Sequence, residues 1–383
     1  MANHKRLIGL VPLLLLLTAA LTGCWNYRGL DQMTIVAGVA IDKAEDGRYH
    51  LTFEVVDMSK PAESNGVTSI TLESDGATLF DAIRNAKKQD MNQLYFGNMQ
   101  IMIVSNEIAR EEGLSAVLDI FVRATEFREV INAIISQEDT AGSLLMADGL
   151  GQGVLSYAIL EIITDDGLMT SATKDVKIYQ AYNTLKTEGG ALVLPAFHLT
   201  EDSNGVTLPE LNGLALFSGD KLAGYMPAED VKYYLCAVNK LEGGVLTADV
   251  DGDGTDDLAL DILSANTDRK FSLSGDQPSA TLKIALSGKL IEYNQPANML
   301  DPNEVKRAEK ALGEKLSREM AAHLLQAQQD YGWDIFGFGE QVYHTQLPVW
   351  RQVKENWQTL FGSLTFDVQA KVTILSTATT QES

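Results

Sequence analysis

The sequence predicts an α/β (α+β) multidomain protein: three mixed sheet-plus-helix domains behind an N-terminal leader. Three observations predict it. Between residues 32 and 190, short apolar strands alternate with helical stretches, as when helices layer onto a sheet. After Gly189-Gly190, a fresh succession of strand, hairpin and helix begins. Beyond residue 275, strands are followed by a long amphipathic helix from Glu304 to about Tyr331, with Val305, Ala308, Leu312, Leu316, Met320 and Leu324 on one face. The expected division is a leader at 1–23, an N-terminal α/β domain at 24–190, a middle domain at 191–275 and a C-terminal domain at 276–383.

The leader has three parts. His4, Lys5 and Arg6 are basic, Leu7 to Leu17 are apolar, and Thr18, Ala19 and Ala20 are small. That is the layout of a secretory signal. Its apolar core is shorter than the ~20 residues needed to cross ~30 Å of hydrocarbon. Leu21-Thr22-Gly23-Cys24 resembles the lipobox of bacterial lipoproteins, in which the cysteine sulfur is diacylated and becomes the mature N-terminus. Cys24 is therefore read as a lipid anchor, because two acyl chains hold a protein at a membrane where one holds it only marginally. Trp25 beside it suits a lipid interface. The competing reading is an ordinary secreted protein with a chance cysteine.

In the first domain, "TIVAGVAIDKAEDGRYHLTFEVV" reads as a hairpin turning at Asp46-Gly47. Its first strand is apolar on both faces and so central; in the second, His50, Thr52 and Glu54 are expected to form a wet face. Ser59 to Asp75 reads as a polar excursion. A helix ("GATLFDAIRNAKKQ"), a strand ("LYFGNMQIMIVS"), a helix ("LSAVLDIFVRA") and a strand ("EVINAIISQ") follow, then helices around "YAILEII" and "VKIYQAYNTLK". The middle domain holds the strand "ALVLPAFHL", a hairpin turning at Ser218-Gly219-Asp220, the helix "AEDVKYYLCAVNK" and a strand, acidic loop and strand in "GGVLTADVDGDGTDDLALDIL". The last domain holds strands in "ATLKIALSGKLIEYN", the long helix, a loop with Trp333, Gly337 and Gly339, a helix around "VWRQVKENWQTLF" carrying Trp350 and Trp357 on one face, and a final strand.

Charge narrows the function. The 383 residues carry 30 Lys+Arg against 52 Asp+Glu, a net charge of −22. Nucleic acid is excluded as a partner, since phosphate binding needs clustered positive charge. Anionic lipid repels such a body, so lipid attachment and not electrostatics would hold it at a membrane. With Cys24 acylated, Cys236 has no partner and reads as a small buried residue on a helix. No HExxH, paired cysteines or GxSxG elbow is present, and "GLGQGV" (Gly149, Gly151, Gly153) reads as a flexible connection. Arg123 and Arg128, among Glu126 and Glu129, read as ion pairing. No cofactor is required by these residues.

The sharpest local motif is "DVDGDGTDDL". Asp249, Asp251, Asp253 and Asp257 stand at positions one, three, five and nine of a calcium loop, Gly254 at six, and Thr255 at seven would offer its carbonyl. Hard oxygens at alternating positions suit Ca²⁺. Position twelve is Leu260, so the bidentate glutamate of an EF-hand is missing, and the flanks read as strands. Two readings stand: a calcium loop like those between strands of integrin-type propellers, or a solvated acidic hairpin tip.

Taken in order, "GCWNYRGLDQMTIVAGVAIDK", "YFGNMQIMIVSNEIAREEGL", "FVRATEFREV", "LNGLALFSGDKLAGYMPAED", "YGWDIFGFGEQVYH" and "ENWQTLFGSLTFDVQAKVTI" resemble the spore-germination receptor C-subunit lipoproteins, the Ger(x)C family. The family pattern has an acidic residue where Gly29 stands, a histidine where Asn98 stands and a proline near Thr125. The resemblance implies three α/β domains, lipid-anchored to the outer face of the cytoplasmic (inner spore) membrane. It implies a non-enzymatic subunit that associates with germinant receptor A and B subunits and supports germination in response to small nutrients. The alternative is a stand-alone surface lipoprotein that binds a solute or calcium.

Overall fold

The computed structural model describes residue 29 and residues 32–58, 67–149, 153–275, 277–294 and 301–377. The leader, Cys24 and Trp25 lie outside them. β1 (Met33–Lys43) and β2 (Tyr49–Asp57) form the expected antiparallel hairpin, with Val39 opposite Phe53. Gly47 in the turn has φ +79°, a left-handed conformation that glycine adopts without steric cost. β1 also pairs in parallel with β5 (Ile101–Val104), so it is central, and Val36 to Asp42 are all buried. Double burial is what an apolar run on both faces anticipates.

The polar stretch 59–75, expected as an excursion, differs. From Thr68 to Gly76 it forms β3, antiparallel to β2 at the end of the sheet. An edge strand is held by backbone pairing to one neighbour and needs no continuous apolar face; Ile70 stays 57% exposed.

α1 (Leu79–Asn85) is capped by Thr78, whose Oγ1 accepts from the Asp81 amide at 3.1 Å. β4 (Gln93–Tyr95) lies beside the start of β1. After β5 come α2 (Asn106–Glu111) and α3 (Ser115–Arg123), then β6 (Asn132–Ser136), α4 (Gly142–Leu145), α5 (Leu155–Met169) and α6 (Ile178–Lys186). β7 (Val193–Glu201), β8 (Thr207–Ser218) and β9 (Lys221–Met226) complete a nine-stranded sheet in the order β3-β2-β1-β5-β6-β7-β8-β9, with β4 beside β1. α7 (Ala228–Ala237) leads into a four-stranded sheet of β10 (Val245–Ala248), β11 (Leu258–Ser274), β12 (Gln277–Tyr293) and β13 (Thr365–Thr377), hydrogen-bonded in that order. β12 and β13 are parallel, and the long connection between them holds α8 (Pro302–Asp330), α9 (Phe338–Thr345), α10 (Leu347–Val353) and α11 (Trp357–Gly362).

Backbone pairing runs across the expected domain limits. β7 pairs in parallel with β6 through Ala196 and Ile135, so the sheet continues past residue 190, and residue 275 lies in the turn of the β11–β12 hairpin. The described residues thus group into two sheets. Gly189-Gly190, the expected boundary, is tightly packed: a Cβ on Gly189 would lie 2.5 Å from the Gly339 carbonyl carbon, and the Glu340 amide donates to Gly189 O at 3.1 Å. Val193, Leu214 and Leu216 of the first sheet belong to the same apolar core as Leu312 and Trp357.

α8 buries Ala308, Leu312, Leu316, Met320 and Leu324, the expected stripe. An adjacent stripe closes the free edge of β13. The Ile374 amide donates to Glu309 Oε1 and the Ala370 amide to Ser317 Oγ, both at 2.9 Å. Gly313 lies between them, where a Cβ would stand 3.0 Å from Ala370 O. Covering an edge in this way satisfies donors that would otherwise template pairing with another chain. The expected single helix over Trp350 and Trp357 breaks at Lys354–Asn356 into a 3₁₀ turn, yet the two rings still meet, 5.4 Å apart, in the core. Part of the expected loop at Gly337 and Gly339 is helical, because Gly337 at φ +69° caps the start of α9.

Candidate functional site

The acidic loop joins β10 to β11 and projects into solvent from Asp251 to Asp256. Carboxylate oxygens of Asp249, Asp251 and Asp257 lie within 4.8 Å of one another. Asp253 stands outside that group; its Oδ1 accepts from the Thr255 amide at 2.7 Å. Asp249 is engaged by its own loop, accepting from the Gly252 amide at 2.6 Å and the Gly254 amide at 2.8 Å, and these bonds hold its carboxyl below the usual range. Asp257 is the buried member, 8% exposed, and its Oδ1 accepts from the Val250 amide at 3.0 Å. The structure therefore brings together three of the four expected carboxylates and sets Asp253 and Thr255 to bracing the turn.

α8 grips the base of this loop. Lys315 Nζ reaches Asp256 Oδ2 at 2.5 Å, and Arg307 donates to Val250 O at 3.2 Å. Burial works to raise the Asp256 carboxyl, but the Lys315 and Thr247 hydrogen bonds outweigh it and keep it low.

A second set of carboxylates is absent from the sequence expectations. The expected wet face of β2 is covered at Thr52 and Glu54, each 1% exposed, because the N-terminal ends of α4 and α5 dock there, while His50 stays half-buried. Glu54 accepts from the amides of Leu155 and Ser156, both at 2.7 Å, from the Ser156 hydroxyl, and from Ser69 Oγ at 2.5 Å. Asp42 does the same for α4, accepting from Ala141 N at 2.6 Å and Gly142 N at 2.9 Å. Each carboxylate meets amides at the start of a helix that lack intrahelical partners. Gly38 makes the close approach of α5 feasible, since a Cβ there would lie 2.1 Å from Ser156 Oγ. In the C-terminal half, buried Asp334 accepts from the amides of Phe336 (3.1 Å) and Gly339 (2.7 Å) and from Trp357 Nε1 (3.2 Å). Burial pushes the Asp42 and Asp334 carboxyls up, against the pull of those amides. The sequence signal for Asp42 is its place at the end of an apolar strand; for Glu54 the alternating pattern points the other way.

The remaining candidates resolve individually. Cys236 is 1% exposed, and burial pushes its thiol up to about 11, which suits an inert core residue. Arg123 pairs with Asp119 at 2.7 Å, while Glu126 takes Arg84 at 2.6 Å. His50, His198, His323 and His344 each face a different carboxylate: Asp75, Glu210, Asp230 and Glu340. Gly151 lies outside the described residues. Among the described residues, no helix is long and apolar enough to cross a membrane.

Comparison with known proteins covers nearly the whole chain. A family profile described as "Spore germination protein N-terminal domain" matches residues 26–199, and one described as "Spore germination B3/ GerAC like, C-terminal" matches residues 212–378. Spore germination protein KC of Bacillus subtilis (strain 168) is 24% identical over 391 residues, spanning 96% of this chain and 95% of that protein. Spore germination protein GerQC of Bacillus cereus is 20% identical over 369 residues, spanning 96% and 99%. The crystal structure of the GerBC protein superposes with a TM-score of 0.57 at 17% identity, over 88% of this chain and 97% of that one; this likeness speaks for the fold.

Proposed function

Because this chain belongs to the Ger(x)C family of spore-germination proteins, we propose that it is a non-enzymatic, lipid-anchored C subunit of a nutrient germinant receptor. In this reading acyl chains on Cys24 tether the body to the outer face of the inner spore membrane. There it associates with the A and B subunits and works by contact. The observation that carries the reading is collinearity: both halves match germination profiles in family order, across two sheets that share one apolar core. The buried carboxylates support it from the physical side, because the oxygens of Asp42, Glu54 and Asp334 are each engaged by structural amides.

Deleting the gene in a spore former without paralogous receptors tests this; germination to at least one nutrient should slow or stop. Normal germination to every nutrient overturns it. The anchor has its own test, since Cys24→Ala should move the protein from the membrane to the soluble fraction of lysed spores.

The loop carries a separable reading: Asp249, Asp251 and Asp257 hold Ca²⁺ through their converging oxygens, with Thr255 offering its carbonyl and Asp253 shaping the turn. Calcium titration of the body lacking the leader tests it, with Asp251→Ala as control. No heat and no thermal shift at millimolar calcium overturns the calcium reading without touching the receptor one.

A further inference from the structure

α8 carries cations on two flanks, which are answered unequally from within the molecule. On the first, Lys315 and Arg307 hold the acidic loop through Asp256 and Val250. On the other, Lys306, Lys310 and Arg318 stand beside the seam where α8 covers β13, with Glu314 on the turn between the last two, and Lys371 joins them from the strand. Together they line an open groove of about 620 Å³. All four are exposed, and among the described residues Lys306, Arg318 and Lys371 have no ion-pair partner. The groove's two carboxylates are already engaged, Glu309 by the Ile374 amide and Glu314 by Lys310 at 3.7 Å. The result is a local excess of positive charge on a molecule of net charge −22.

We propose that this groove docks an acidic, extended segment of a partner protein. The occupant follows from charge complementarity and shape. The internal flank shows what satisfies such lysines here: carboxylates and backbone carbonyls of an acidic loop. An open groove along the covered edge of β13 leaves room for a peptide that presents those groups in series. An anionic bilayer fits less well, because it repels a body of net charge −22. The groove stands independently of the receptor reading.

The probe is a fluorescein-labelled decapeptide of alternating glutamate and serine, with a glutamine-for-glutamate peptide as control, titrated against the body lacking the leader. Binding of the acidic peptide alone is expected, weakening at least tenfold between low and physiological salt and at least tenfold in Lys306→Gln/Lys310→Gln/Arg318→Gln. These positions are exposed and glutamine is a good helix former, so the melting temperature should hold. Carbodiimide cross-linking on the unmodified protein gives a second readout that needs no variant: peptide carboxylates should couple to Lys306, Lys310 or Lys371. No binding, equal binding by the triple variant, or cross-links concentrated on other lysines overturns the proposal. So does binding to phosphatidylglycerol vesicles that the peptide does not compete away, which would assign the groove to a membrane.

Discussion

Asp249 through Asp257 and the trio Asp42, Glu54 and Asp334 are both sets of acidic side chains, and they differ in almost every physical respect. The loop puts five aspartates in nine residues, with Asp251, Asp253 and Asp256 exposed at its tip. Its internal bonds are local, spanning at most seven residues, and Asp256 reaches beyond it to Thr247 and Lys315. The trio is scattered over the chain, nearly or fully buried, and Asp42 and Glu54 reach amides about a hundred residues away. In water a carboxylate is solvated whether or not the loop is formed, so the tip adds little to stability. In the interior it is the acceptor for several donors at once, and removing it leaves them unsatisfied. Density of charge in sequence is therefore a poor guide to which carboxylates matter to the fold.

The largest test removes Glu54. Glu54→Ala leaves two helix-start amides and two hydroxyls without their acceptor, and should cost about 3 kcal/mol. Urea unfolding should show a lower midpoint at unchanged slope. Asp334→Ala should cost about as much, by freeing the Phe336 and Gly339 amides and the Trp357 ring N–H. If either behaves like a surface substitution, the buried set is not holding the helices and loop in place.

Next comes Gly38→Ala. The added methyl meets Ser156 Oγ at 2.1 Å and must displace α5 from β1, for about 2 kcal/mol. The same unfolding measurement reads it, and loss of protection of the Leu155 and Ser156 amides in hydrogen exchange should accompany it.

The third test uses pH. Burial raises the Asp42 carboxyl above its ordinary value of 3.8, so between the two values the native state binds more protons than the unfolded chain. Stability then falls as pH rises through that interval and is level above it. Asp42→Asn removes this dependence, so the margin of wild type over the variant should be widest in mild acid and shrink toward neutrality. A margin that grows with pH would show that the two helix amides, and not burial, dominate at this carboxyl.

The smallest effect is expected at the loop. Asp251→Ala and Asp253→Ala should each change stability by less than about 0.5 kcal/mol without calcium. Added calcium should raise the melting temperature of wild type, and less so that of Asp251→Ala. A large calcium-free loss would erase the contrast between the two sets.

The family, the order of most strands and helices, the buried Cys236 and the central place of β1 were legible in the sequence, because each depends on local periodicity or motif order. The alternation of Tyr49, Leu51, Phe53 and Val55 specified β2 but misassigned its other face. Whether that face is wet depends on helices that begin a hundred residues later. β3 escaped notice because edge strands need backbone pairing more than apolar pattern. Gly189-Gly190 reads as a domain boundary, since nothing local shows that Gly339 packs on it.

By itself, then, the sequence determined the chain's charge, its periodic elements and its kinship, all of which are sums or repeats over neighbouring residues. Only the tertiary structure decided which carboxylates are acceptors for helix ends, which glycines are close contacts, and which cations of α8 are left without an ion-pair partner among the described residues. Those properties belong to pairs of groups far apart in the chain, and no local pattern encodes a distance between them.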